Sequence, residues 1–295
     1  PVAAVHCLVG GTQVNRVTSE AWLRAEGAGV AAQTGHVSTQ ETGAIEATGH
    51  KVCTGGSPDG KLTPALVESG LAGHNGTEHM VLPRMVYISD TTEIGTVYTK
   101  AELTALRQCC DAHDLLLFLD GARLGSALTS PENDLTLSDL AALTDVFTIG
   151  GTKNGALFGE AVIMTVPCDH FRWHIKQRGG MLAKGRLLGL QFLALLNGED
   201  GTGSSPYYTM AAKADRQAMR IRAAFEAKGC AMLFDSPTNQ QFPILPNSWY
   251  NALSEKYAMT LTAKPDAEHT AVRFCTSWAT RNEDVDALLA DIASL

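Results

Sequence analysis

A lone lysine, Lys153, stands in "FTIGGTKNGALFGEAVI" directly after a β-branched apolar run, where a strand would end. Taken alone it reads as a solvated lysine in a turn, since loops are polar by default. Three other chemically capable groups follow apolar runs in the same way. "HCLVGGTQVN" places Gly10, Gly11 and Thr12 at the start of a helix, where backbone N–H groups and a hydroxyl suit an anion such as phosphate. "TGHVS" places His36 after a second run, and "LLLFLDGARL" places Asp120 after five apolar residues, with Arg123 three positions on. Each has an ordinary structural alternative: glycines make turns, a histidine can be a satisfied structural residue, and the aspartate can cap a helix. An aspartate at the end of an apolar strand is nevertheless costly to bury unless it meets a cation or several donors.

The elements that must position these groups are legible as repeated βα units. The runs "AAVHCLV", "GVAAQTG", "HKVCTG", "RMVYIS", "LLLFLDG", "DVFTIGG" and "EAVIMT" alternate with helical patterns. Among these, "TKAELTALRQCCDAH" places Leu103, Leu106 and Cys110 on one face. The pattern predicts an α/β fold with a mostly parallel sheet whose strands are buried on both sides. In such a sheet ligands bind at the carboxyl ends of the strands, so all four groups fall at one edge. A long helical stretch is expected over Met181 to Leu196, followed by the Gly/Ser-rich "NGEDGTGSSP" (Asn197 to Pro206) as a boundary. The predicted organisation is a large domain over 1–198 and a smaller α+β domain over 199–295. The latter would hold a charged helix near Tyr207 to Lys228, short strands near "CAMLF", "QFPIL" and "AVRFCTS", and a last helix, "NEDVDALLADIASL".

Composition narrows the function. With 295 residues and 45% hydrophobic content the chain can bury a sizeable core, and a net charge of −8 disfavours nucleic acid or an acidic membrane surface as a partner. A small-molecule partner fits better. The seven cysteines lie at no metal-ligand spacing, two of them adjacent (Cys109, Cys110), which predicts free thiols, no metal site and a reducing, cytoplasmic setting. No apolar run is long enough to span a bilayer. The first residues are already strand-like and lack an initiator Met, which leaves room for residues ahead of them, a targeting segment included.

An anion cradle, an imidazole, a carboxylate and a lysine at one sheet edge are together what pyridoxal phosphate uses: a lysine for its aldehyde, an acid for the pyridine nitrogen, a phosphate site and a flat group against the ring. The segments "HCLVGGTQVN", "GHVSTQETGAIEATGHKV", "TTEIGTVYT", "FLDGARLGSAL", "GGTKNGALFGEAVI" and "VRFCTSWATRNEDVDALL" also resemble, in the same order over nearly the whole chain, the threonine aldolase group of fold type I pyridoxal-phosphate enzymes. The resemblance implies a seven-stranded, mostly parallel sheet, a smaller C-terminal domain, and a homodimer or homotetramer with active sites at subunit interfaces. It implies cleavage of L-threonine or L-allo-threonine, small amino acids, to glycine and an aldehyde. Lys153 would bond the cofactor, Asp120 pair with its ring nitrogen, His36 stack on the ring, and Gly11, Thr12 and Gln13 hold the phosphate; Arg123 and Arg273 would grip the substrate carboxylate. Two departures stand out. The family carries several dozen residues ahead of the strand that opens this sequence, among them a carboxylate-binding serine, and many relatives have a second active-site histidine where Thr92 stands here. His36 is then the candidate base for the substrate hydroxyl, with Glu93 as a second candidate that could instead fix a loop. Aminotransferases and β-eliminating lyases share the lysine, aspartate and phosphate cradle and are the rival activities; a cofactor-less scaffold of the same fold is the rival without activity.

Overall fold

The computed structural model describes residues 2–74, 76–198 and 204–295. Seven strands, β1 (Ala4–Leu8), β2 (Gly27–Ala32), β3 (Lys51–Gly55), β4 (Leu82–Ser89), β5 (Leu116–Asp120), β6 (Val146–Gly150) and β7 (Glu160–Met164), form one sheet in the order β1-β7-β6-β5-β4-β2-β3. All seven expected runs are strands. The pairings from β3 across to β6 are parallel, whereas β7 runs antiparallel to both β6 and β1. The cause is connection length: residues 151–159 are too few for a helical crossover, so the chain turns back beside β6. The first residue of β7 therefore lies at the same edge as the last residue of β6, with Gly150 opposite Glu160.

Helices α1 (Gly11–Trp22), α2 (His36–Thr39), α3 (Pro64–Ala72), α4 (Lys100–Ala112), α5 (Leu124–Thr129), α6 (Leu137–Leu143), α7 (Phe171–Gln177) and α8 (Arg186–Leu195) accompany the sheet. Their starts are written locally. Thr99 with Glu102 and Thr136 with Asp139 form reciprocal capping boxes, and Thr63 caps α3 ahead of Pro64 at its first position. Strand alternation divides the core into two layers. Val86, Ile88, Leu117 and Leu119 face α4 through Leu103 and Leu106; Met85, Tyr87 and Phe118 face α1 and α7 through Val14, Val17 and Phe171. Central strands covered on both faces explain the unbroken apolar runs.

The long helical stretch expected from Met181 begins later, at Arg186. Met181 and Leu182 are exposed and have no core to pack against, so apolar spacing alone does not hold them in a helix. Of the expected boundary segment 197–206, residues 199–203 lie outside the described residues. Helix α9 (Pro206–Ala227) follows, then β8 (Gln240–Gln241), β9 (Ile244–Pro246), α10 (Asn247–Ser254), β10 (Thr260–Ala263), β11 (His269–Cys275) and α11 (Asn282–Ser294). "CAMLF" is not a strand and makes only a bridge from Met232 to Pro243. "QFPIL" divides into the end of β8 and β9 around Pro243, which has no N–H for a ladder. Ile221, Phe225, Leu245, Val272, Val285 and Leu288 build a separate apolar cluster, while Tyr207, at the other end of α9, belongs to the core of the large sheet. Among the described residues no helix is long and apolar enough to cross a membrane, and all seven cysteines are free.

Candidate active site

Two glycines bring the strand ends together. A Cβ on Gly121 would lie 1.9 Å from the Thr148 carbonyl oxygen, and one on Gly150 would lie 2.5 Å from that of Ala122. The backbones after β5 and β6 thus pack at a distance only glycine allows, and Gly121 N–H donates to Thr148 Oγ1 at 2.7 Å. This contact fixes Asp120 beside the short turn, Thr152–Asn154, that carries Lys153. Helix α9 braces the turn from outside: Asn154 Nδ2 donates to the Tyr207 carbonyl at 2.6 Å, and the Tyr207 hydroxyl donates to the Gly150 carbonyl at 3.1 Å.

A cavity of about 210 Å³ opens at this edge. Gly11, Thr12, His36, Asp120, Arg123 and Lys153 all line it, so most of the residues singled out from the sequence converge there. Gln13 and Arg273 are not in its lining. Gln13 accepts from Val9 N–H at 3.3 Å. Arg273, on β11, donates from Nη1 to Gln240 Oε1 at 3.3 Å, and Gln240 in turn donates to the Thr92 carbonyl at 3.3 Å. Thr92 is buried with its hydroxyl 2.7 Å from that of Thr96.

Asp120 is held as an acceptor. Its Oδ2 accepts from Tyr87 at 2.6 Å and from Asn15 Nδ2 at 2.9 Å, and its Oδ1 accepts from Ala122 N–H at 2.9 Å. The bond from Ala122 N–H closes the turn ahead of α5, whose N-cap is Arg123 with no side-chain cap, so Asp120 does not cap that helix. Asn15 Nδ2 also donates to Glu41 Oε1 at 2.7 Å, and the same oxygen lies 2.8 Å from His36 Nδ1. A carboxylate only accepts, so Nδ1 carries the proton and Nε2 is the open nitrogen of the ring. Donation of the Nδ1–H to Glu41 raises the His36 pKa above the ordinary histidine value, against the opposing effect of burial, with Glu41, Asp120 and Glu93 adding negative charge nearby. Glu93 fastens the neighbouring loop: its Oε1 accepts from His36 N–H at 2.9 Å and from Ser89 Oγ at 2.7 Å.

Lys153 is exposed as a residue, yet its amine end is crowded; that partial burial, with the Arg123 cation adding, lowers its pKa from the ordinary lysine value. A more available neutral amine follows. No side chain caps α1, so the N–H groups of its first turn remain open to a ligand. Arg123 Nε and Arg273 Nε are buried and have no partner among the described residues. An uncapped helix start, a crowded amine and unpaired guanidinium nitrogens fit an anionic aldehyde cofactor and a carboxylate substrate.

Four residues of this site escaped the sequence reading. Asn15, Glu41 and Tyr87 carry no local signal, because a polar residue on a helix or strand reveals its partner only in three dimensions. Glu160 escaped for a topological reason: the search followed strand carboxyl ends, and Glu160 is the first residue of the antiparallel β7.

The sequence model of the beta-eliminating lyase family matches residues 2–274. A low specificity L-threonine aldolase from a Pseudomonas species is 31% identical over 303 residues, covering 97% of this chain and 81% of its own length. That of Pseudomonas aeruginosa is 30% identical over 297 residues, at 96% and 80%. A solved threonine aldolase structure from Leishmania major superposes with a TM-score of 0.94 at 45% identity, covering 99% of this chain and 84% of that one. The Thermus thermophilus aspartate aminotransferase, at 14% identity, TM-score 0.66 and coverage of 98% and 75%, shares the fold alone.

Proposed function

The chain belongs to the threonine aldolases of the beta-eliminating lyase family, pyridoxal-phosphate carbon–carbon lyases, and on that premise we propose that it cleaves L-threonine and L-allo-threonine to glycine and acetaldehyde. The observation that carries this reading is the convergence of Lys153, Asp120 and the uncapped start of α1 on one cavity with His36 at its rim.

When bound, the cofactor supplies an electron sink for the pair released at Cα. Lys153 would bond it, and Gly11 and Thr12 in the lining, with Gln13 beside them in α1, would hold its phosphate. Asp120, oriented by Tyr87 and Asn15, would present a carboxylate to the ring nitrogen and keep it protonated by favouring its charged form. Arg123, in the cavity lining, would grip the substrate carboxylate, with Arg273, outside that lining, as the second proposed grip, and this grip would set the Cα–Cβ bond in the cleavable orientation. His36 would lie against the ring and would take the β-hydroxyl proton at Nε2, with Glu41 holding Nδ1–H and stabilising the resulting imidazolium. Glu93 keeps the loop in place; its bonds to Ser89 and His36 N–H favour that role over the base.

Incubating the protein with L-threonine and no keto-acid acceptor, and measuring acetaldehyde, tests the activity. Acetaldehyde should form, and the L and D isomers of threonine and allo-threonine assayed together rank the substrates. A requirement for a keto acid would make the protein an aminotransferase. Leu157, Phe158, Leu187, Leu190 and Leu193 are exposed, and Gln191 on α8 bonds the Leu157 N–H and the Phe158 carbonyl, so apolar surface lies close to the Lys153 turn and supports a homodimer or homotetramer with sites at its interfaces; a cytoplasmic setting belongs to the same proposal. The separate C-terminal apolar cluster supports a division into domains 1–198 and 199–295.

A further inference from the structure

We infer that the Glu160 carboxyl binds the cofactor's phosphate in its acid form, as a hydrogen-bond donor facing the first turn of α1. This rests on the cofactor reading above and adds a residue to it. Because β7 runs antiparallel, its first side chain reaches the edge where α1 begins, and a Cβ on Gly11 would lie 4.0 Å from Glu160 Oε1. The residue is 5% exposed and lines the cavity, and its Oε2 is buried with no partner among the described residues.

A buried carboxyl in this place must either be ionised and matched to a cation or keep its proton and find an acceptor. The surroundings favour the second state. Facing it are Asp120 on β5, Lys153 in the turn after β6, and Tyr207 on α9, while β1 and β6 contribute only Leu8 and Gly150 beside it. Around the rest of the cavity stand Arg123, His36, Glu41 and Glu93. Burial, with Asp120 adding, raises the Glu160 pKa to about 8 against the opposing effects of Lys153 and the Gly151 N–H. At neutral pH the group is an acid with a proton to donate, and α1 gathers an anion within its reach. An ionised carboxylate there would repel the phosphate instead.

The test is the equilibrium affinity of the cofactor-free full chain for pyridoxal 5′-phosphate and for pyridoxal, between about pH 7 and about pH 9.5, where the phosphate is already doubly ionised. Both compounds bond the same lysine, so the ratio of their affinities cancels its titration and isolates the phosphate end. In the parent protein the preference for the phosphorylated compound should be flat below about pH 8 and fall about tenfold per pH unit above it, where one proton must be taken up from solvent per binding event. In Glu160→Gln, whose amide is a neutral donor of the same shape, the preference at pH 7 should stay within a few-fold and the slope should vanish. A pH-independent preference in the parent, or a slope that survives in Glu160→Gln, overturns the assignment; the parent curve decides even if the variant folds poorly. If the parent takes up neither compound, the cofactor reading itself is wrong.

Discussion

Asp120 and His36 are joined by a chain of side chains, Asp120 to Asn15 to Glu41 to His36, so the ring-nitrogen partner and the proposed base share one scaffold. Asp120→Asn keeps the shape and loses the charge. Turnover should fall by about 10²-fold or more while the far-ultraviolet spectrum stays unchanged, and an unchanged kcat would leave Asp120 structural only. Lys153→Ala should abolish borohydride-stable attachment of the cofactor; attachment at another lysine would refute the assignment. The Glu41 contact supplies a pH prediction. His36 is held above its ordinary pKa chiefly by Glu41, so Glu41→Gln lowers that value and the neutral imidazole persists to lower pH. The acid limb of the kcat/KM profile should therefore move to lower pH in the variant. A limb that stays put means His36 is not the base.

At the level of elements, the site depends on how closely β5 and β6 approach, which helix stability does not control. Gly121→Ala would drive a methyl against the Thr148 carbonyl, so the strands must part and carry Asp120 away from the Lys153 turn. Overpacking of this kind costs about 1–3 kcal/mol or more, and activity should fall further than stability. Thr99→Ala provides the contrast: losing one side of the α4 capping box should cost about 1 kcal/mol in chemical denaturation and leave kcat unchanged. Equal losses of activity in the two variants would show that strand approach is not what positions the site.

For the molecule as a whole, α9 is the link between the two cores, and Asp215 sits at its seam with α5, accepting from Ser126 Oγ and from Thr129 Oγ1, the latter at 2.7 Å. Burial raises its pKa to about 6, despite those donors. The folded state then holds the proton more tightly than the unfolded chain, so this group's contribution is greatest below the unfolded value near 4, declines as pH rises toward 6, and is flat above. The amount is at most on the order of 3 kcal/mol. The stability advantage of the parent over Asp215→Asn should shrink across that interval in melting experiments, and a constant difference would remove Asp215 from the pH response.

The strands were readable in the one-dimensional pattern because each central run is buried on both faces and needs no partner to declare itself. Lys153, Asp120 and His36 were readable for the same reason: each follows such a run, and the ends of parallel strands share an edge. The resemblance to threonine aldolases rested on these same segments. What the pattern could not contain was direction and depth. A nine-residue connection turns β7 antiparallel and delivers Glu160 to the site, an outcome decided by which neighbour the returning chain pairs with. Asn15, Glu41 and Tyr87 become functional candidates only through hydrogen bonds spanning up to 105 positions. Met181 and Leu182 have helical spacing but no surface to bury against, so the core rather than the periodicity decided where α8 starts.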